Sequence, residues 1–149
     1  MTDSDDPEMK EIVKGFLQET RGLITEMEEI LEQFEEDPDD KALLEHFGQK
    51  IDRIMGTAET LEFEMIGKIC KMGKLIGYKA SQNNDVNLNL IVSGILSDCL
   101  LLLSGLADAL EKNQPEPKQQ IDAFLSRLKW LTEKFKHIDR SSLVQKKAK

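Results

Sequence analysis

The sequence predicts an all-α protein: an up-and-down four-helix bundle with one additional helix, five helices in all. Three observations carry this expectation. Only four of the 149 residues are proline, and the chain is rich in Glu, Lys and Leu, which lose little side-chain freedom in a helix. Apolar residues recur at intervals of three and four along five segments. Between those segments lie the turn-forming runs "DPDD" (37–40), "SQNND" (81–85) and "NQPEP" (113–117), too short to join long helices other than as antiparallel neighbours. A chain of this length fits one domain with a single core. Residues 1–139 are expected to form it, with 140–149 as a basic C-terminal tail.

The first helix opens at Pro7, which suits the first helical position, after Asp6 as cap. It runs to about Glu36 on a stripe of Ile12, Phe16, Leu23, Met27, Ile30, Leu31 and Phe34, with Gly15 and Gly22 as candidate breaks. "DPDD" ends it and caps a second helix carrying Leu44, Phe47, Ile51, Ile54, Ala58 and Leu61, the spacing of a bundle seam. A third helix starts near Glu64 with Met65, Ile66, Ile69, Cys70, Met72, Leu75 and Ile76. The fourth is the apolar run "LNLIVSGILSDCLLLLSGLADAL" (88–110), ending at Lys112. The fifth places Ile121, Phe124, Leu125, Leu128, Leu131, Phe135 and Ile138 on one stripe.

The fourth run is long enough to span a bilayer, but Asp98 and Asp108 lie inside it and Asn89 near its start. A carboxylate at bilayer depth costs several kcal/mol, so a central helix of a soluble bundle fits better than a membrane span. The first ten residues have no basic segment followed by an apolar one, so they do not read as a secretory signal. Cys70 and Cys99 sit among apolar residues and read as buried, reduced thiols of a cytoplasmic protein, without the spacing of a metal site. No cofactor is implied.

Net charge is −8, unevenly spread. Residues 1–45 hold sixteen acidic and four basic side chains, and residues 129–149 seven basic and two acidic. A nucleic-acid binder needs a basic face on the folded domain, which this distribution argues against. The ending "VQKKAK" reads as a solvated tail.

The second helix holds the most informative stretch, "FGQKIDRIMGTAETLEF" (47–63). Gly48 and Gly56 lie one turn before and one turn after Asp52, and an interior helical glycine costs roughly 1 kcal/mol relative to alanine. At about 100° per residue, Asp52 falls about 130° from the centre of the apolar seam. Glu45, Gln49, Gly56 and Glu59 share its stripe, and Gly48 borders it. Glycines on the solvent side of a helix suit close approach by another molecule.

Together with the acidic helix "FLQETRGLITEMEEILEQFEEDPDD" before it, this stretch resembles the histidine phosphotransfer (HPt) domain, particularly the N-terminal phosphotransfer module of chemotaxis histidine kinases. That family carries the motif H-x-x-K-G-[ST]-A followed by L-G-F. Gly56, Thr57 and Ala58 match G-[ST]-A, and Leu61 and Phe63 match the outer residues of L-G-F. The resemblance covers residues 12–80 and extends by helix order to about 138. The departures fall at the chemistry: Asp52 stands at the phosphoacceptor histidine position, Met55 at the lysine position, and Glu62 at the glycine of L-G-F. A carboxylate could carry a phosphoryl group only with the metal and lysine of a receiver domain. His46 lies about 120° around the helix from Asp52, and His137 sits in the last turns of the fifth helix; neither has a motif around it.

The resemblance implies a non-enzymatic binding module of two-component or chemotaxis signalling, which docks a receiver domain or histidine kinase but takes no phosphoryl group. Its partner-binding face maps to Gly48, Gln49, Asp52, Arg53, Met55, Gly56 and Glu59. Two alternatives stand beside it. Glu45 and Gln49, at i and i+4 with Asp52 next along, are the residue types that could orient water in an aspartyl-phosphate phosphatase acting on a response regulator. A structural or assembly bundle is the other, since Leu90, Leu100 and Leu101 exceed the stripe the fourth helix needs and offer a homodimer face.

Overall fold

The computed structural model describes the backbone of residues 6–148 and the side chains of residues 6–136. Five helices follow one another: α1 (Pro7–Glu36), α2 (Lys41–Thr60), α3 (Glu64–Ser81), α4 (Val86–Lys112) and α5 (Lys118–Ala148). Among the described residues there is no strand. The expected all-α bundle is what forms.

Three of the helices, α1, α2 and α4, begin at an aspartate that accepts from a free amide of the first turn. Asp6 accepts from the Glu8 N–H at 3.0 Å, Asp40 from Ala42 at 3.2 Å and Asp85 from Leu88 at 3.1 Å, satisfying amides that have no intrahelical partner. The far ends close differently. Past α2, Glu62 takes the left-handed conformation (φ 65°), and the Phe63 N–H reaches back to the Ala58 carbonyl at 2.8 Å. Past α4, Asn113 (φ 54°) does the same, with Gln114 donating to Ala109 at 2.8 Å. Both are Schellman-type closures. At the end of α3, the Lys41 ammonium donates to the Ala80 carbonyl at 3.1 Å and to that of Asn83. Gly15 and Gly22 do not break α1, which runs unbroken through both.

α1 packs on α2, α2 on α3, α3 on α4 and α4 back on α1, so four helices close a ring. α5 lies outside it, against α4. The ring encloses Met27, Phe34, Leu44, Phe47, Ile51, Ile54, Ile69, Ile95, Leu96, Leu100 and Leu103, all fully buried. Each such side chain contributes roughly 1.5–3 kcal/mol by leaving water. α5 adds Ile121, Phe124, Leu128, Leu131 and Phe135, and Leu125 is half-buried. Ile138, His137 and the side chains of the 140–149 segment lie outside the described residues. Two stripe expectations are corrected: Ile12 and Leu75 are about half exposed, Ile12 because it sits above the buried arc that begins at Phe16, and Leu75 because it lies on the solvent side of α3.

Of the nine glycines, Gly73 has the tightest surroundings. A Cβ there would lie 2.8 Å from Ile51 Cδ1 and 3.0 Å from Cys99 Sγ, below normal packing distance. Cys70 and Cys99 are both buried and free. Burial pushes the Cys70 thiol up to about 12 and Cys99 higher still, with Glu59 adding to the first and Cys70 to the second.

α4 is long and apolar enough to cross a membrane, but 56% of its most apolar stretch is buried inside the bundle. Its polar residues are accommodated accordingly. Asn89, 1% exposed, exchanges hydrogen bonds with Asn83 at 3.1 and 3.2 Å, and the buried Ser93 hydroxyl donates to Glu35 at 3.4 Å. Asp108 pairs with Arg21 of α1 at 3.0 Å, and Asp98 pairs with Arg127 of α5.

Candidate functional site

The α2–α3 turn is tight, so the two helices run back along each other in a register that can be counted from Glu62. Ile51 meets Gly73, Phe47 meets Gly77 and Glu59 lies against Gly67. The same register sets Asp52 opposite Lys74. The Lys74 ammonium donates to Asp52 Oδ1 at 2.6 Å, with both side chains about half exposed. An ion pair so open to water is worth only about 0–1 kcal/mol. It can therefore open for a partner at little cost, presenting a carboxylate on α2 or an ammonium on α3.

A shallow groove of about 370 Å³ runs beside this pair, with Glu45, Gly48, Gln49, Lys74 and Tyr78 among its lining. Its floor is low because Gly48 and Gly77 lack side chains, and Tyr78, 63% exposed, forms one wall. One turn beyond Asp52, Gly56 faces solvent; no atom lies within 4 Å of where a Cβ would be at Gly48 or Gly56. Neither glycine serves packing inside the bundle.

The predicted stripe divides. Gly48, Asp52 and Glu59 lie on the α3 side of α2, while Gln49 and Gly56 crown it. Arg53 turns toward α1, where its Nε donates to Glu19 Oε1 at 2.7 Å. Met55 is half-buried and packs against the core, so it belongs to the foundation of the site rather than to its rim. His46 is exposed, on a different side of α2 from Asp52. Among the described residues, no three or more His, Cys, Asp and Glu side chains are grouped so as to hold a metal ion.

Lys74 is the residue sequence reasoning missed. Three positions on from Asp52 in α2 stands Met55; the cation beside Asp52 arrives from α3 instead. Counting equal steps back from the 61–63 turn would have found it.

No family model, curated protein or solved structure matches this chain. The arrangement must be read from its own chemistry. It comprises a carboxylate with a breakable lysine partner, glycines above and below it, an amide and a second carboxylate (Gln49 and Glu45) along the same groove, and no imidazole at its centre.

Proposed function

We propose that this protein is an HPt-like binding module of two-component or chemotaxis signalling, which docks a receiver domain or histidine kinase on α2 without accepting a phosphoryl group. The observation that carries this reading is the Asp52–Lys74 pair, set mid-helix on a face that Gly48 and Gly56 leave open. Two features of the structure support the resemblance to the family. The position of the L-G-F glycine, Glu62 here, has the positive φ that a glycine would favour. A cation stands beside the phosphoacceptor position, although it comes from α3. The nucleophile is what differs: a carboxylate tied to lysine replaces an imidazole. Asp52 carries one negative charge and a short reach, far from the charge and the three acceptor oxygens of a phosphoryl group. The module thus offers the docking shape without the chemistry, and so would sequester a receiver or couple it to a kinase. The protonated, buried thiols suit a reducing cytoplasm.

The groove favours one other reading. Glu45, Gln49 and Asp52 all line it, and an amide and a carboxylate there could orient water toward a docked receiver's aspartyl phosphate. One experiment separates the two. A cognate receiver is titrated with the parent protein and with Gly56→Arg, Asp52→Ala and Gln49→Ala, and the decay of the receiver's phosphate is followed. Docking alone predicts at least tenfold weaker binding for Gly56→Arg, little change for Asp52→Ala, and an unaltered phosphate lifetime. Accelerated decay that Gln49→Ala abolishes at unchanged affinity would replace the adaptor with a phosphatase.

A further inference from the structure

Across the ring from α2, no element among the described residues covers the outer face of α4 over much of its length. Counted at about 100° per residue, Val86, Leu90, Gly94, Ser97 and Leu101 fall within an arc of about 80°. Leu101 is 69% exposed, Leu90 40% and Val86 36%, and nothing lies within 4 Å of a Cβ at Gly94. Trp130 of α5, 47% exposed with the Lys134 ammonium 5.4 Å above its ring, lies about 60° around α5 from Arg127, the residue that reaches Asp98 of α4. Leu100, by contrast, is buried and belongs to the core.

The two helices that flank this stripe carry opposite charge. On one side, Arg21 and Glu35 mark the edge of α1 that faces α4, and Glu28 and Glu32 continue that edge, within about 20° of Arg21. No basic residue occurs between 22 and 40. On the other side, Arg127, bound through one nitrogen to Asp98, and Lys134 line α5. We propose that a second copy of this chain docks here, forming a two-fold dimer with its α4 helices side by side and parallel.

The charges choose this arrangement. A two-fold axis running along α4 sets the acidic edge of α1 in one protomer over the basic edge of α5 in the other, twice. A two-fold axis running across α4 would stack acid on acid. The size also suits. From Val86 to Asp108, α4 is about 33 Å long at 1.5 Å per residue. With α1 and α5 beside it the face is about 20 Å wide, or on the order of 650 Å² in projection, near the roughly 800 Å² per partner of a standard interface. Gly94, mid-stripe, lets the two α4 backbones draw close.

Trp130 is the chain's one tryptophan, so the interface reports on itself. Sedimentation of the full chain over a range of concentrations should show twice the 17.0 kDa mass, with Trp130 emission shifting to the blue in step and with dissociation favoured by salt. Leu101→Glu should give a monomer at all concentrations, with its helical circular dichroism kept and its melting temperature equal to that of the parent diluted below dimerisation, since Leu101 packs little inside the protomer. Lys134→Glu should weaken the dimer at least tenfold, and adding Glu32→Lys should restore most of that loss, as only the parallel pairing predicts. A monomer at the highest concentration, or a dimer indifferent to Leu101→Glu, would overturn the proposal. So would a dimer that Lys134→Glu leaves intact. A blue shift produced by phosphatidylcholine–phosphatidylglycerol vesicles, but not by concentration, would assign the face to a membrane instead.

Discussion

Replacing Glu62 with glycine should stabilise the fold by about 0.5–1 kcal/mol. Glu62 is the pivot of the α2–α3 closure and is held at φ 65°, where an L-residue pays roughly 1–2 kcal/mol because its Cβ crowds the following carbonyl oxygen. Glycine removes that strain but returns about 0.5–1 kcal/mol as extra freedom of the unfolded chain. Taken at the middle of each range, the difference is about 0.75 kcal/mol, worth roughly 2–3 °C in a domain of this size. Urea unfolding followed by far-UV circular dichroism measures it as a rise in midpoint at constant slope. Asn113 is an internal control: it occupies the same region at φ 54°, but asparagine tolerates left-handed backbone, so Asn113→Gly should gain only a few tenths of a kcal/mol. Glu62→Val, β-branched at positive φ, should lose stability. An unchanged or lowered midpoint for Glu62→Gly would refute the reasoning, because strain at the pivot could then not be what the turn stores.

Gly56→Ala should raise stability by up to about 1 kcal/mol, whereas Gly73→Ala should lower it by about 1–3 kcal/mol by driving a methyl into Ile51 and Cys99; the same urea titration distinguishes them. Incubated with an autophosphorylating histidine kinase and a receiver, the protein should acquire no stable acid-labile phosphate, and stoichiometric label on His46 or His137 would refute this. Cys70 and Cys99 should resist a thiol reagent at pH 8 until the fold is opened with urea, because both thiols are buried with raised pKa. Above pH 9 the unfolded chain releases these protons while the folded chain keeps them, so stability should fall as pH rises, by up to about 1.4 kcal/mol per unit for each thiol. Alanine at both positions should flatten that slope.

Helix ends were legible in the sequence because they are local chemistry. Asp6 and Asp40 cap within two residues, and the apolar stripes of α2 and α5 follow from spacing alone; the Asp85 cap, which starts α4 at Val86, was not read from the turn 81–85. The angular position of Asp52 was legible for the same reason. What escaped was everything that depends on where a second helix lies. Lys74 came to Asp52 through the register of a hairpin, Arg53 turned to Glu19 across α1, and Met55 settled against the core. Gly73, the glycine with a packing role, drew no attention because its crowding comes from Ile51 and Cys99, far away in the chain. Leu90, Leu100 and Leu101 looked alike in sequence, and only the path of the ring separates the buried one from the other two.

The order in which the four helices close their ring also bears on how the chain finds its fold. Every extensively packed pair joins helices adjacent in the chain, except α1 with α4. Four pairs of consecutive helices can therefore zip from their turns with little loop to close, the circumstance in which folding is fast. The α1–α4 seam is different: Glu36 and Val86 bracket two whole helices, and the entropy of bringing such distant segments together must be met before Arg21 and Asp108 can meet. Closure of the α1–α4 seam is thus expected last, so substitutions along it would act chiefly on the unfolding rate, while those at the α2–α3 turn would act on the folding rate.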